Sequence, residues 1–428
     1  MVVKLLSDND PEFRAAALEQ VRVAGGGAAS TTVFASQLPT LSPHAQMGLL
    51  AALADRGDAV ALPAVLTLYK SSQDEVVRAA ALGALGQLGE DPEVLQLLIR
   101  ALESKSAAEQ AAAQRSLTQI RGDTTTKRIA EQLPLSASPV KAALIEVLAT
   151  RRARDEVPTF IEASLDQDAN VRAAAMRALG QLGSSAQIAA MLPGVLKAVK
   201  GSERDAAEKD VALVCSRIDN NDQRAAALIQ ALDTIDTAQR DQLLGLVGRV
   251  GGKKLIQFVA DIAICNDAAR RKLGIDALSK WPDASVADQL LQIANKATDP
   301  AERSQAFQGY VKISATRDKR TDRQRLERMK QAMEAARSPV EQTLVINRCR
   351  TAYDVETLRF VLPYVDEPQF AQTACETVVE LAHHREIRDP NKAEFDQALD
   401  KVIALSKDPV VVDRARRYQL GETWERPR

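Results

Sequence analysis

The chain has 428 residues, of which 46% are apolar and 26% charged, and its formal net charge is -1. That balance belongs to a soluble, core-forming chain and excludes a disordered or collagenous one. Aromatics make up only 4% while Ala and Leu abound, which favours helices over strands.

In chain order, the start through Phe13 offers only a short apolar stretch before Asp8 and Asp10. It lacks the longer apolar run and cleavage site of a secretory signal, so cytoplasm is the default expectation. From Val23 to Ala54 there is no Asp, Glu, Lys or Arg, but Gly25–Gly27, Pro39 and Pro43 interrupt the stretch. No transmembrane span is expected there. Val33, Phe34, Leu38, Leu41, Met47, Leu49 and Leu50 then stand in an almost uncharged terminal unit, where a stacked repeat needs a polar outer face. The expectation is that a portion ahead of Met1 is missing and that this is the repeat region of a longer protein. The alternative is an intermolecular contact through the uncharged stretch.

Internal repetition comes next. Val77–Gly89 (VRAAALGALGQLG) and Val171–Gly183 (VRAAAMRALGQLG) agree at eleven of thirteen positions, 94 residues apart, or three steps of about 31. Weaker copies begin at Phe13, Lys141, Asp267 and Asp299. Each unit reads as two helices. Leu62, Val65, Leu66 and Tyr69 mark one face of a first helix, and Val77, Ala81, Ala84, Leu85 and Leu88 that of a second. Val157, Phe160, Ile161 and Leu165, followed by Val171, Ala175, Ala178, Leu179 and Leu182, repeat the pattern. Gly89 and Gly183 stand where a left-handed residue would end the helix. Asp10-Pro11, Ser138-Pro139, Asp299-Pro300, Ser338-Pro339 and Asp408-Pro409 read as caps followed by Pro at the first helical position. Ala79, Ala80, Leu82 and Gly83 leave little polar surface on their helix, so small residues are expected to admit close neighbours.

The prediction is an all-α fold, an α-solenoid of about thirteen antiparallel helix pairs in one continuous array. Within residues 1–428, positions 1–57 read as incomplete N-terminal units, 58–315 as regular repeats, 316–418 as divergent repeats and 419–428 as a tail.

Asp74-x-x-Val77-Arg78-Ala79-Ala80-Ala81-x-x-Ala84-Leu85-Gly86 and its copy from Asp168 through Arg172 to Gly180 resemble HEAT repeats, in particular the short bacterial, bilin-lyase-like variety. The resemblance implies an armadillo-like superhelix whose second helices line the concave side. It also implies that the repeated Asp and Arg form a polar ladder between units. Asp74, Asp168, Asp267 and Asp299 are expected as helix caps, and Arg78, Arg172, Arg271 and Arg303, with Arg14, as ladder rungs.

Chemistry is scarce. His44, His383 and His384 are not followed by Glu, which excludes the His-Glu iron motif of the hydroxylases that resemble this fold. Adjacent His383 and His384 diverge on a helix, too poor a set for zinc. Cys215, Cys265, Cys349 and Cys375 are widely spaced, without disulfide or CxxC arrangement, and Cys215 and Cys265 read as small core hydrophobes. Gly245, Gly248, Gly251 and Gly252 close a helix with no strand before them, a poor phosphate cradle. Trp281 and Trp424 are expected in core or capping roles, so a base-stacking surface is not evident and nucleic acid is not the expected partner. No catalytic, cofactor or metal residue is assigned, and no cofactor is expected. From Arg317 to Lys330 seven basic and three acidic residues make a basic helix face. Lys319, Arg320, Arg323 and Arg325 are its candidates for contact with a partner. The functional expectation is a non-catalytic scaffold for proteins or peptides. The alternative is an enzyme-associated HEAT protein, bilin-lyase-like or DNA-glycosylase-like.

Overall fold

The computed structural model describes residues 2–8, 10–89, 91–122 and 124–424, and among them all regular structure is helical, with no strand. The chain divides into two compact units, Met1–Val214 and Cys215–Arg428. In the first, Val2–Leu5 packs on Pro11–Val23. The hairpins Gly27–Ala35/Pro43–Arg56, Leu62–Ser71/Glu75–Leu88, Pro92–Ala101/Ala107–Gln119, Thr125–Glu131/Ser138–Thr150, Val157–Ala163/Ala169–Leu182 and Ile188–Lys197/Ser202–Ser216 follow. In the second, Asn221–Leu232 precedes the broken helix Thr237–Gln242 and Leu244–Val250. Then come Lys253–Ala263/Ala268–Leu278, Ala287–Lys296/Pro300–Ser314, Asp322–Ala335/Pro339–Cys349, Val355–Val361/Ala371–His383 and Lys392–Leu405/Pro409–Gln419. Among the described residues the first unit holds seven hairpins and the second six, thirteen in all.

Within each unit, second helices lie directly against one another: Pro43–Arg56 on Glu75–Leu88, that on Ala107–Gln119, and Ser138–Thr150 on Ala169–Leu182. The repeated apolar positions face these contacts. Val77, Ala81 and Leu85 are fully buried, as are Val171, Ala175 and Leu179. Small residues set the spacing. A Cβ on Gly86 would lie 2.4 Å from Ser116 Cβ on the next second helix, and one on Gly180 would lie 3.0 Å from Asp210 Cβ. On Gly248 it would meet the Ala277 carbonyl oxygen at 2.1 Å. The glycine-rich 245–252 segment therefore serves helix packing, and Gly251 (φ +67°) makes room for Pro282 and the buried Trp281.

Several expectations are corrected. Gly183 is not left-handed: its φ is -65° and ψ 157°, and it is small because a Cβ would strike Leu179 O at 2.6 Å. Leu165 is 44% exposed, since its helix stops at Ala163. Ser138 is the first helical residue rather than the cap, whereas Asp10, Asp299, Ser338 and Asp408 do accept first-turn N–H bonds. The uncharged N-terminal stretch does not present an apolar surface. Phe34, Leu38, Leu41, Leu49 and Leu50 are all buried and Met47 half-buried, leaving Val33 as the exposed member of that set. Hairpin Gly27–Arg56 buries them because Pro11–Val23 supplies the neighbour on one side and Glu75–Leu88 on the other. The last residues of the expected tail, 425–428, lie outside the described residues.

Candidate interaction surface

Four second helices begin with a capped turn that also holds a rung of charge. Asp74 accepts from the N–H groups of Val76 and Val77 at 2.8 and 3.3 Å, and Asp168 from Asn170 and Val171 at 2.8 and 3.2 Å. Asp267 accepts from Arg270 N–H and Asp299 from Ala301 and Glu302 N–H. With its carboxylate engaged on the backbone, the cap is not the partner of the repeated arginine. Arg78 reaches instead to Glu109 at 2.6 Å, Arg172 to Glu203 at 2.7 Å and Arg271 to Glu302 at 3.0 Å. Each of these glutamates lies 31 residues on, in the first turn of the next second helix. Arg303 pairs with Glu341 in the same manner. The polar ladder therefore runs Arg to Glu rather than Arg to Asp.

The same arginines donate to carbonyls six residues back: Arg14 to Asp8, Arg78 to Ser72, Arg172 to Asp166 and Arg271 to Cys265. A guanidinium, planar and with five donors, bridges a turn and a neighbouring carboxylate at once, which a lysine ammonium does less well. Arg172 and Arg303 are buried and Arg78 and Arg271 half-buried. These side chains are committed within the fold.

The basic stretch 317–330 divides in two. Lys319 and Arg323 are exposed. Arg320 folds back, bonding Asp318 at 2.9 Å and the carbonyls of Ser314 and Thr316 at 3.2 Å. Arg325 is buried on Asp322 and the Arg320 carbonyl. A continuous row of four solvated cations is thus not present. Arg320 and Arg325 satisfy the end of Pro300–Ser314 and the start of Asp322–Ala335.

Planar groups collect in the C-terminal unit. The Arg317 guanidinium lies 4.4 Å from the Tyr353 ring, whose other neighbour is His384 at 3.7 Å. His383 Nδ1 is 3.0 Å from the Tyr418 hydroxyl, and Arg414 packs on Tyr418 and Trp424. The two histidines thus hold separate partners. Burial first, then the neighbouring His383, lowers the His384 pKa below its usual value. Among the described residues no set of three His, Cys, Asp or Glu side chains could hold a metal ion. Cys215, Cys349 and Cys375 are buried, and burial raises their pKa to about 11, 12 and 11. Cys265 was expected in the core and is half-exposed, because its helix ends at Ala263.

What remains open is the outer face of the second helices and the clefts between successive first helices. One cleft of about 460 Å³ is lined by Lys127, Glu131, Lys141, Glu156, Glu162 and Asp166, with Lys141 and Asp166 paired at 2.9 Å. A second, of about 480 Å³, has Arg271 and Glu302 among its walls, with Ile264, Ile293 and Lys296. Both open onto structural ion pairs, and in the first the Thr159 hydroxyl donates to Glu156 at 3.2 Å.

A family model described as HEAT repeats matches residues 31–118 and 127–212. The chain carries HEAT repeats. The matched stretches contain both copies of the VRAAA motif and stop where the motif fades. No curated protein sequence matches it. Among solved structures, the karyopherin Kap121p bound to Nup53p is 13% identical with a TM-score of 0.50, and the match covers 98% of this chain and 52% of that one. The same karyopherin bound to RanGTP gives 14% identity and a TM-score of 0.48, covering 98% and 51%. The HEAT chain thus spans about half the length of that karyopherin and shares its α-solenoid fold. No helix among the described residues is long and apolar enough to cross a membrane.

Proposed function

We propose that this HEAT-repeat chain is a non-catalytic scaffold that holds protein or peptide partners along the outer face of its second helices. The observation that carries the reading is the division of labour on those helices. One face of Ala169–Leu182 fills the core through Val171, Ala175 and Leu179, while Arg177 and Gln181 stand exposed on the other. Pro300–Ser314 repeats this with Phe307 and Tyr310 inside and Gln308 and Lys312 outside. Repetition along successive hairpins within a unit makes an extended surface, the form in which stacked repeats bind partners. The ladder arginines, Cys215, Cys349 and Cys375, and His383 and His384 are tied into ladders, core and stacks. Kap121p, similar in fold, is solved with a protein partner on it, which agrees with such a use, although fold alone does not fix function.

Affinity purification of the full chain from its native cell, with partner identification, tests this. A defined protein partner is the expected result. Retention of a chromophore, stimulation of its attachment, or DNA binding with steep salt dependence in place of a protein partner would contradict it.

A further inference from the structure

The first hairpin of the second unit has its second helix broken between Thr237–Gln242 and Leu244–Val250. Asn221–Leu232, Leu244–Val250 and the next first helix, Lys253–Ala263, pack on one another and leave between them a cavity of about 230 Å³. Its inner walls are apolar: Val247, Leu255 and Leu232 line it and are all buried. On its outer side stand Ile229 and Phe258, the latter 43% exposed.

Three charged residues share the lining, and two of them offset each other. Asp233 and Arg240 face one another at 3.6 Å, and Arg240 Nε also donates to the Ile235 carbonyl at 3.1 Å. The third, Lys254, is exposed and makes no side-chain ion pair or hydrogen bond among the described residues. It stands in the first turn of Lys253–Ala263, a helix with no side-chain cap and no acidic residue in that turn. A cation there opposes the helix dipole. An anion at the same place meets both the ammonium and first-turn N–H groups. The cavity thus joins an apolar interior to one uncompensated positive charge on its wall.

Taking the scaffold reading as its basis, we propose that this cavity anchors the C-terminus of a partner protein ending in a bulky apolar residue, with the side chain inside and the α-carboxylate on Lys254. A cavity of about 150 Å³ is enough for benzene, so this one admits a Phe or Leu side chain and is too small for a long acyl chain. Side chain and α-carboxylate spring from one Cα, so a single terminal residue reaches both the apolar walls and the cation that lines the same space. An internal carboxylate would have to come from a second residue. Capture of a terminal carboxylate by backbone N–H groups is a recurring mode of peptide recognition. The site lies among first helices, so it adds an attachment point to the surface of the second helices.

The test is fluorescence anisotropy on the full chain with short, N-terminally labelled Gly-Ser peptides ending in Phe or Leu. Each is used as the free acid and as the C-terminal amide, beside a free acid ending in Gly. A Phe or Leu acid binds, its amide binds at least about tenfold more weakly, as loss of a charged hydrogen bond dictates, and the Gly peptide does not bind. Lys254→Gln brings the acid close to the level of the amide and leaves the amide unchanged, a selectivity that general damage to the fold would not produce. Phe258→Ser, at an exposed position, weakens acid and amide alike. Lys296→Gln, on the cleft that Ile264 and Ile293 line, changes nothing. Circular dichroism melts check that each variant is folded. Binding of neither acid, equal binding of the amides, or indifference to Lys254→Gln overturns the proposal. Binding of 3-phenylpropionate more tightly than either peptide overturns it in favour of a site for small acids. Purification from the native cell separates the two levels. Partners retained equally by wild type and by the Lys254→Gln, Phe258→Ser chain leave the scaffold reading standing and remove this one, whereas absence of any defined partner for the wild type removes the scaffold reading and this one with it.

Discussion

Substituting glycine by alanine at two positions three residues apart should move stability in opposite directions. On an isolated helix either change gains about 1 kcal/mol, from the entropy glycine loses on folding. At Gly83 the new methyl meets nothing within 4 Å, so that gain should survive, at about 0.5–1 kcal/mol. At Gly86 the methyl would sit 2.4 Å from Ser116 Cβ, 2.7 Å from Ser116 Oγ and 2.8 Å from Ser116 Cα. The Ser116 side chain cannot swing away freely, because it is buried and its hydroxyl donates to the Leu82 carbonyl at 2.9 Å. The second helices must therefore separate. Overpacking of this kind costs about 1–3 kcal/mol, which offsets the propensity gain and leaves a net loss of up to about 2 kcal/mol. Urea denaturation followed by circular dichroism on the full chain measures both variants. Adding Ser116→Gly to Gly86→Ala should recover part of the loss, since it removes Cβ and Oγ while leaving Cα. Equal stabilisation by Gly83→Ala and Gly86→Ala would refute the close contact of these helices.

Three further outcomes are expected. Burial raises the Asp210 pKa to about 6 despite the charges of Arg177 and Lys209. The folded chain therefore binds a proton more tightly than the unfolded one, and the first unit should lose stability as pH rises from about 4 to 6; Asp210→Asn should flatten that slope and add about 1–2 kcal/mol at pH 7. Glu341 is the opposite case: burial acts to raise its pKa, but the hydrogen bonds from Arg303 and the Arg337 N–H, with both positive charges, outweigh it and hold the value below the usual 4.5. Its contribution is present above pH 4.5 and is lost as pH falls through the lower folded value, so Glu341→Gln should cost roughly 3 kcal/mol at pH 7 and remove that acid loss in thermal melts at pH 3 to 6. Iodoacetamide on the native chain near pH 8, read by peptide mass spectrometry, should modify half-exposed Cys265 and spare Cys215, Cys349 and Cys375, whose thiols stay protonated and buried.

Much of this architecture was legible in the sequence because it rests on local rules. Asp74 and Asp168 cap their helices through their own backbone, and a period near 31 residues marks both motif copies. The small residues Ala79, Ala80 and Gly83 were expected to admit close neighbours, but Gly83 meets nothing within 4 Å, and the close approaches fall at Gly86 and Gly180 instead. What escaped depends on residues far apart in sequence. Nothing near Arg78 or Arg172 indicates that the partner is Glu109 or Glu203, although a Glu recurring 31 residues after each arginine was a readable signal. Arg320 and Arg325 looked solvated because sequence counts charges without knowing which carbonyls the helix ends leave open. The N-terminal apolar residues looked unpaired because the contribution of Pro11–Val23 as a neighbour could not be weighed from composition.

The central claim is that a hairpin here is completed by its neighbours rather than by itself, and Leu179→Ala tests it directly. Leu179 is fully buried in Ala169–Leu182, so truncation should cost about 2–5 kcal/mol. Hydrogen exchange of the full chain, resolved by mass spectrometry, should show the largest loss of protection in residues 157–182. Smaller losses are predicted in the flanking hairpins 125–150 and 188–214, and little change in Pro11–Val23. Loss confined to 157–182, or spread evenly over residues 2–214, would contradict nearest-neighbour completion.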